Sequence, residues 1–144
     1  MGYKTTIENL EKKLNKFEIT CNHLDYDESK VEDYLVKKCK KTGFLCIKVN
    51  SSSASGLPDR MILGYGLTIF IELKIKGKEP RPLQREMIKK IRQRGILCLY
   101  IDSISKIDFL FDELLKDIVN TYKFKDKRKE QKNLNKMFIN LENK

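Results

Sequence analysis

The chain is poor in the groups that build covalent or zinc chemistry. It has a single histidine, His23, so no Ser–His or Cys–His nucleophilic pair stands out. Its four cysteines, Cys21, Cys39, Cys46 and Cys98, include no CxxC pair. His23 lies two residues after Cys21 but has no second ligand pair nearby, which argues against zinc. No apolar run approaches the length of a bilayer-spanning helix. The first residues, MGYKTTIENLEKKLNKF, carry charge where a secretion signal needs an apolar stretch. Cys39, Cys46 and Cys98 sit inside apolar patterns and read as reduced core residues. The expectation is a reducing compartment, cytoplasmic or nucleoid/nuclear, rather than secretion.

What remains is a basic chain of 144 residues, 40% hydrophobic and 35% charged, with a formal net charge of +10. That length suits one compact domain with short extensions. The surplus of cations favours a polyanionic partner, because each phosphate contact releases condensed counterions. Lys and Asn are abundant throughout, so the charge serves as support only. From Lys123 onward there are eight basic and three acidic residues, half the net charge. This tail reads as a solvated, partly disordered segment or as a phosphate-binding arm.

Periodicity divides the chain into three parts. Residues 1–27 hold a short amphipathic helix over 5–17 (Ile7, Leu10, Leu14, Phe17) and a connector. Residues 28–122 form the main domain, and 123–144 the basic tail. Within the domain, a helix over 28–42 is capped by Asp27 or Ser29 and stopped by Gly43. Strand-like runs follow at Phe44 to Asn50, Arg60 to Tyr65 and Leu67 to Ile75, with Gly66 in a tight turn. A helix from Pro82 to Arg94 has proline in its first turn and ends at Gly95. Ile96 to Ile101 is an apolar strand, and 104–122 a final amphipathic helix. The order αβββαβα indicates an α/β fold with a mixed central β-sheet flanked by helices.

The chemistry concentrates near Gly56-Leu57-Pro58-Asp59 and Glu72-Leu73-Lys74. Alternation along the third strand puts Ile69, Ile71, Leu73 and Ile75 on one face, and Phe70, Glu72 and Lys74 on the other. Two charges in so apolar a segment need partners. Asp59, at the start of the preceding strand, is placed to meet Glu72 at one cation. Hard oxygen ligands favour Mg²⁺ or Mn²⁺. On a helical wheel Glu32 falls inside the apolar arc of helix 28–42, between Cys39 and Val36. Gln84 interrupts the apolar arc of the helix beginning at Pro82 in the same way. One such polar residue is commonly a satisfied core group. Five that can share one centre point to an active site.

These residues resemble the PD-(D/E)xK nuclease superfamily, and within it the VRR-NUC (virus-type replication-repair nuclease) domain. The match runs over about residues 28–105: Glu32, Gly56 to Arg60, Ile69 to Lys74, Pro82-Leu83-Gln84, and the strand after Gly95. The resemblance implies an αβββαβ restriction-endonuclease-like core and a metal-dependent DNA endonuclease. It assigns the metal to Asp59, Glu72 and the Leu73 backbone carbonyl, with Glu32 acting through water. Lys74 would orient or help deprotonate the attacking water, and Gln84 would hold the site or touch substrate. Ser51, Ser52, Ser53, Lys76, Lys78, Arg81, Lys127, Arg128 and Lys129 are expected to touch nucleic acid. Stand-alone relatives suggest branched DNA such as four-way junctions, a homodimer, and a helicase as a possible partner. The alternatives are an idle nuclease fold that binds nucleic acid or assembles complexes, or a nuclease for restriction or host-DNA degradation.

Overall fold

A computed structural model describes residues 9, 12–13, 27–50, 52, 54–75, 77–124, 135–137, 139–140 and 143. Cys21, His23 and most of the expected helix over 5–17 lie outside these residues, as do Lys125 to Leu134 of the tail.

Helix α1 spans Glu28–Thr42. The Asp27 carboxylate accepts from Lys30 N at 2.8 Å, satisfying one of the donors a helix start leaves open. Glu28 in the first turn and Lys40 and Lys41 in the last complement the helix dipole. Gly43 ends the helix at φ 86°, and its N–H returns to the Cys39 carbonyl. Val31, Leu35 and Cys39 form its buried stripe. Truncating a fully buried leucine such as Leu35 to alanine costs about 2–5 kcal/mol.

Strands β1 (Leu45–Lys48), β2 (Arg60–Gly64) and β3 (Leu67–Leu73) form an antiparallel meander. Helix α2 (Pro82–Gln93) crosses over to β4 (Leu97–Ile101), which pairs with β3 in parallel. The sheet order is β1-β2-β3-β4, so it is mixed and flanked by helices, as the sequence indicates. Ile69, Ile71 and Leu73 of β3 join Leu97, Leu99 and Ile101 of β4 in the main core. Val31 and Leu35 of α1 cover that face, with Ile107, Leu110 and Leu115 from the C-terminal helices. Alternation turns Glu72 and Cys98 to the opposite side, where α2 packs on β4. Among the described residues, Cys39, Cys46 and Cys98 form no disulfide, and Cys39 and Cys98 are buried.

Two elements differ from the sequence reading. β3 stops at Leu73, and Ile75 is 40% exposed rather than inward on the strand. The single helix expected over 104–122 is three pieces: α3 (Ile104–Phe109), a π-turn (Leu110–Leu114) and α4 (Lys116–Phe124). Leu115 N bonds the Leu110 carbonyl at 2.9 Å, five residues back, which marks the inserted residue. Apolar spacing survives such an insertion, so periodicity does not reveal it. Lys38 holds this region to α1 through Asp108 at 3.1 Å and Asp112 at 3.0 Å.

Among the described residues, no helix is long and apolar enough to cross a membrane.

Candidate metal-dependent active site

Register brings the two acids together. Arg60 stands opposite Ile71, so Asp59 enters β2 beside Glu72. Asp59 Oδ2 then accepts the Leu73 backbone N–H at 2.8 Å, fixing this carboxylate against the end of β3. Pro58, before it, is fully buried, which anchors the turn into the strand.

Glu72 is only 1% exposed. Its Oε1 accepts from Gln84 Nε2 at 2.7 Å and lies 3.2 Å from Lys74 Nζ. Its Oε2 is buried and has no hydrogen-bond partner among the described residues. Burial and the nearby Asp59 charge push its carboxyl up to about 7, although Lys74 opposes them. Glu28 pushes in the same direction, so the first turn of α1 faces the site.

Gln84 is built in at both ends. Its Oε1 accepts the Arg81 backbone N–H at 2.9 Å, one of the open donors of α2, while its amide reaches Glu72. Helix start and acidic centre are thus joined by one side chain. Lys74 follows β3, and its own N–H bonds the Ile101 carbonyl at 3.0 Å. The ammonium is thereby held beside Glu72, with its side chain 13% exposed.

Asp59, Glu72, Lys74 and Gln84 converge. Glu32 is differently engaged: its Oε1 takes Arg60 Nε at 2.9 Å on the next strand. Glu28, one helical turn nearer the N-terminus, adds the smallest of the influences that raise the Glu72 pKa. The sequence reading missed Glu28 because a wheel records direction around the axis and discards height along it. Arg60 was visible only as the residue after the Pro-Asp pair.

The site opens into a cleft of about 700 Å³ lined by Ser52, Asp59, Arg81, Leu83 and Gln84. Gly56 closes one side at φ 77°. A Cβ there would meet the Leu83 carbonyl at 2.5 Å, so only glycine permits this approach of loop to helix. Ser52 and Arg81 thus border the cleft, and Lys78 lies exposed on the loop after β3. Ser51, Ser53, Lys76, Lys127, Arg128 and Lys129 lie outside the described residues.

The donor set fits a hard divalent cation. Glu72 Oε2 is an orphaned buried acceptor beside a second carboxylate. Among the described residues, no three His, Cys, Asp or Glu side chains are grouped closely enough to ligate one ion. Two carboxylates are nonetheless the usual protein share for Mg²⁺, which keeps several waters.

No family model matches the chain. A protein named "Putative nuclease p44", from Acyrthosiphon pisum secondary endosymbiont phage 1, is 32% identical over 77 residues. That alignment takes in 53% of this chain and 83% of the phage protein. A solved structure described as a VRR-NUC domain superposes with a TM-score of 0.57 at 27% identity. It covers 60% of this chain and 95% of its own. A second, described as a VRR-NUC domain protein, has a TM-score of 0.54, with 65% of this chain and 91% of its own covered. At 17% identity that second likeness speaks for the fold alone. With the mixed sheet, the Pro-Asp and Glu-Leu-Lys elements in register and these likenesses together, the chain belongs to the VRR-NUC family of nuclease domains.

Proposed function

We propose that this protein is a divalent-metal-dependent DNA endonuclease that hydrolyses phosphodiester bonds and selects branched DNA such as four-way junctions. The observation that carries the reading is Glu72 Oε2, buried without a partner next to Asp59. A carboxylate oxygen left bare in the interior is costly, and a hard cation supplies what it lacks.

Asp59, Glu72 and the Leu73 backbone carbonyl would hold Mg²⁺ or Mn²⁺. Once bound, the ion would lower the pKa of water and offset charge growing on the phosphate. The side chains have separate tasks. Leu73 N–H fixes Asp59, and Gln84 occupies Glu72 Oε1 and leaves Oε2 for ligation. Lys74 keeps an ammonium beside the centre, where it can orient the attacking water and compensate the phosphate. Glu28 adds negative charge at the rim, and Glu32 contributes by keeping Arg60 in place. Ser52 and Arg81 border the path of the nucleic acid. A homodimer would present two such sites to the two strands of a junction, and a helicase is a natural supplier of branched substrate.

The test is cleavage of a panel of four-way junctions, flaps and plain duplex in Mg²⁺ or Mn²⁺. Asp59→Ala should lower kcat by at least about a thousandfold. Cleavage unaffected by that substitution would defeat the reading. Equal cutting of plain duplex would remove the selectivity for branches and favour restriction or host-DNA degradation.

A further inference from the structure

The β2–β3 hairpin has a second end, far from its acids. It closes on Tyr65-Gly66, and both residues hold positive φ, 53° and 72°. Asparagine, aspartate or glycine is the usual first residue of such a turn, so tyrosine there carries backbone strain. The ring supplies the compensation. The Tyr65 hydroxyl donates to the Thr42 carbonyl at 2.7 Å, at the end of α1. Phe44 meets the ring edge-on at 5.0 Å between centroids, and Tyr122 at 5.7 Å.

This ring lines a cleft of about 540 Å³ together with Lys40, Lys41, Lys116 and Lys123. All four lysines are exposed. Lys40, Lys41 and Lys116 meet no carboxylate among the described residues. Lys123 Nζ stands 5.8 Å over the Tyr65 ring. Asp112, the acid in the wall, shares Lys38 with Asp108, at 3.0 and 3.1 Å, and one acid stands against the four lysines. The cleft is therefore a cationic recess with an aromatic wall and three ammonium groups that no carboxylate among the described residues engages. It takes no part in the chemistry at Glu72.

We propose that this cleft is a second DNA contact, which grips the phosphodiester backbone of the same duplex arm whose scissile bond lies at Asp59 and Glu72. The inference rests on the nuclease reading above. The length of the strand sets the separation. The seven residues of β3 span about 20 Å. That distance is about six base pairs at 3.4 Å each. Lysine contacts to phosphate fix position and carry no sequence information. The cleft therefore makes the protein measure arm length rather than read bases.

The experiment compares full-length wild type with Lys40→Gln/Lys116→Gln and Lys40→Glu/Lys116→Glu. The probes are DNA hairpins with stems of about 5 and about 20 base pairs, bound without divalent ion across a salt series. Wild type should bind the long stem about tenfold more tightly. The glutamine pair should remove that preference and lower the salt slope by about two, with the short stem unaffected. The glutamate pair should go further in the same direction. In Mg²⁺, KM for the long stem should rise while kcat holds. Equal weakening on both stems, or no change on either, would overturn the proposal. So would competition by polyglutamate as strong as that by DNA. Length-dependent binding with no cleavage in Mg²⁺ or Mn²⁺ would sink the nuclease reading and spare the cleft. Cleavage without length dependence would do the reverse.

Discussion

Two carboxylate–lysine pairs lie at the same edge of the sheet, after adjacent parallel strands, and they are built to opposite ends. Asp102 and Lys106 follow β4, each with its side chain 3% exposed. Lys106 Nζ lies 3.0 Å from Asp102 Oδ1, and Gly77 N–H donates to Oδ2 at 3.3 Å. Oδ2 thus meets a backbone donor, while Oδ1 meets the ammonium through charge rather than an aligned hydrogen bond, and the Tyr100 ring lies 5.5 Å below that ammonium. Glu72 at the end of β3 is as deeply set and its Lys74 less so, at 13% exposed, but here the donors crowd one oxygen and no cation or donor among the described residues meets the other. The first pair is a finished structural joint that ties the Gly77 loop to β4. The second is held short of completion, with its acid pushed up to about 7 by burial and by Asp59. An ion pair serves structure when its members satisfy each other, and chemistry when the fold withholds one partner.

The contrast is broken most severely at the finished pair. Lys106→Met should cost about 3–5 kcal/mol, because it strands a buried carboxylate, and denaturant unfolding measures it. Glu72→Gln should shift stability the other way, raising the melting temperature of metal-free protein at neutral pH. It should also abolish cleavage. Destabilisation by Glu72→Gln comparable to that of Lys106→Met would show the two pairs to be alike.

Gln84→Met comes next. It keeps the volume but removes the donor that reserves Glu72 Oε1, and should cost about 10–100-fold in activity or Mg²⁺ affinity. Calorimetric Mg²⁺ titration separates affinity from turnover.

The smallest effect is a pH dependence. Because folding raises the Glu72 pKa, its contribution to stability is intact below the ordinary carboxylate range and lost as pH rises through about 7. The metal-free melting temperature should therefore fall between about pH 5 and about pH 8, with Glu72→Gln flattening the curve. Mg²⁺ affinity should rise over the same interval, as the ion competes with the proton. Identical profiles for wild type and Glu72→Gln would assign the titration elsewhere.

Local signals carried most of the fold into the sequence. Asp27 and Gly43 bracket α1 because capping and left-handed geometry are properties of single residues. Alternation separated Glu72 from the face of Ile69, Ile71 and Leu73, and of the two polar residues inside helical apolar arcs Gln84 reaches it. The π-turn at Leu110–Leu114 was hidden because one inserted residue leaves apolar groups three and four apart. The early end of β3 was hidden because Ile75 continues the alternating pattern after the ladder has stopped. Glu32 was the subtler case: its inward direction was legible, but its partner Arg60 depends on the strand register. The cationic cleft gave no motif, since Lys40 and Tyr65 meet Lys116 and Lys123 only once α1, the hairpin and α4 are assembled.

Gly56 has a mechanical consequence. Where the loop rests on the Leu83 carbonyl, the spacing between backbones is set by a missing side chain. The aperture of the cleft at Asp59 and Gln84 is thus gauged by a single hydrogen atom. Any bulkier residue would act as a shim, prising the loop off the helix that carries Gln84 and loosening the grip on Glu72 from outside.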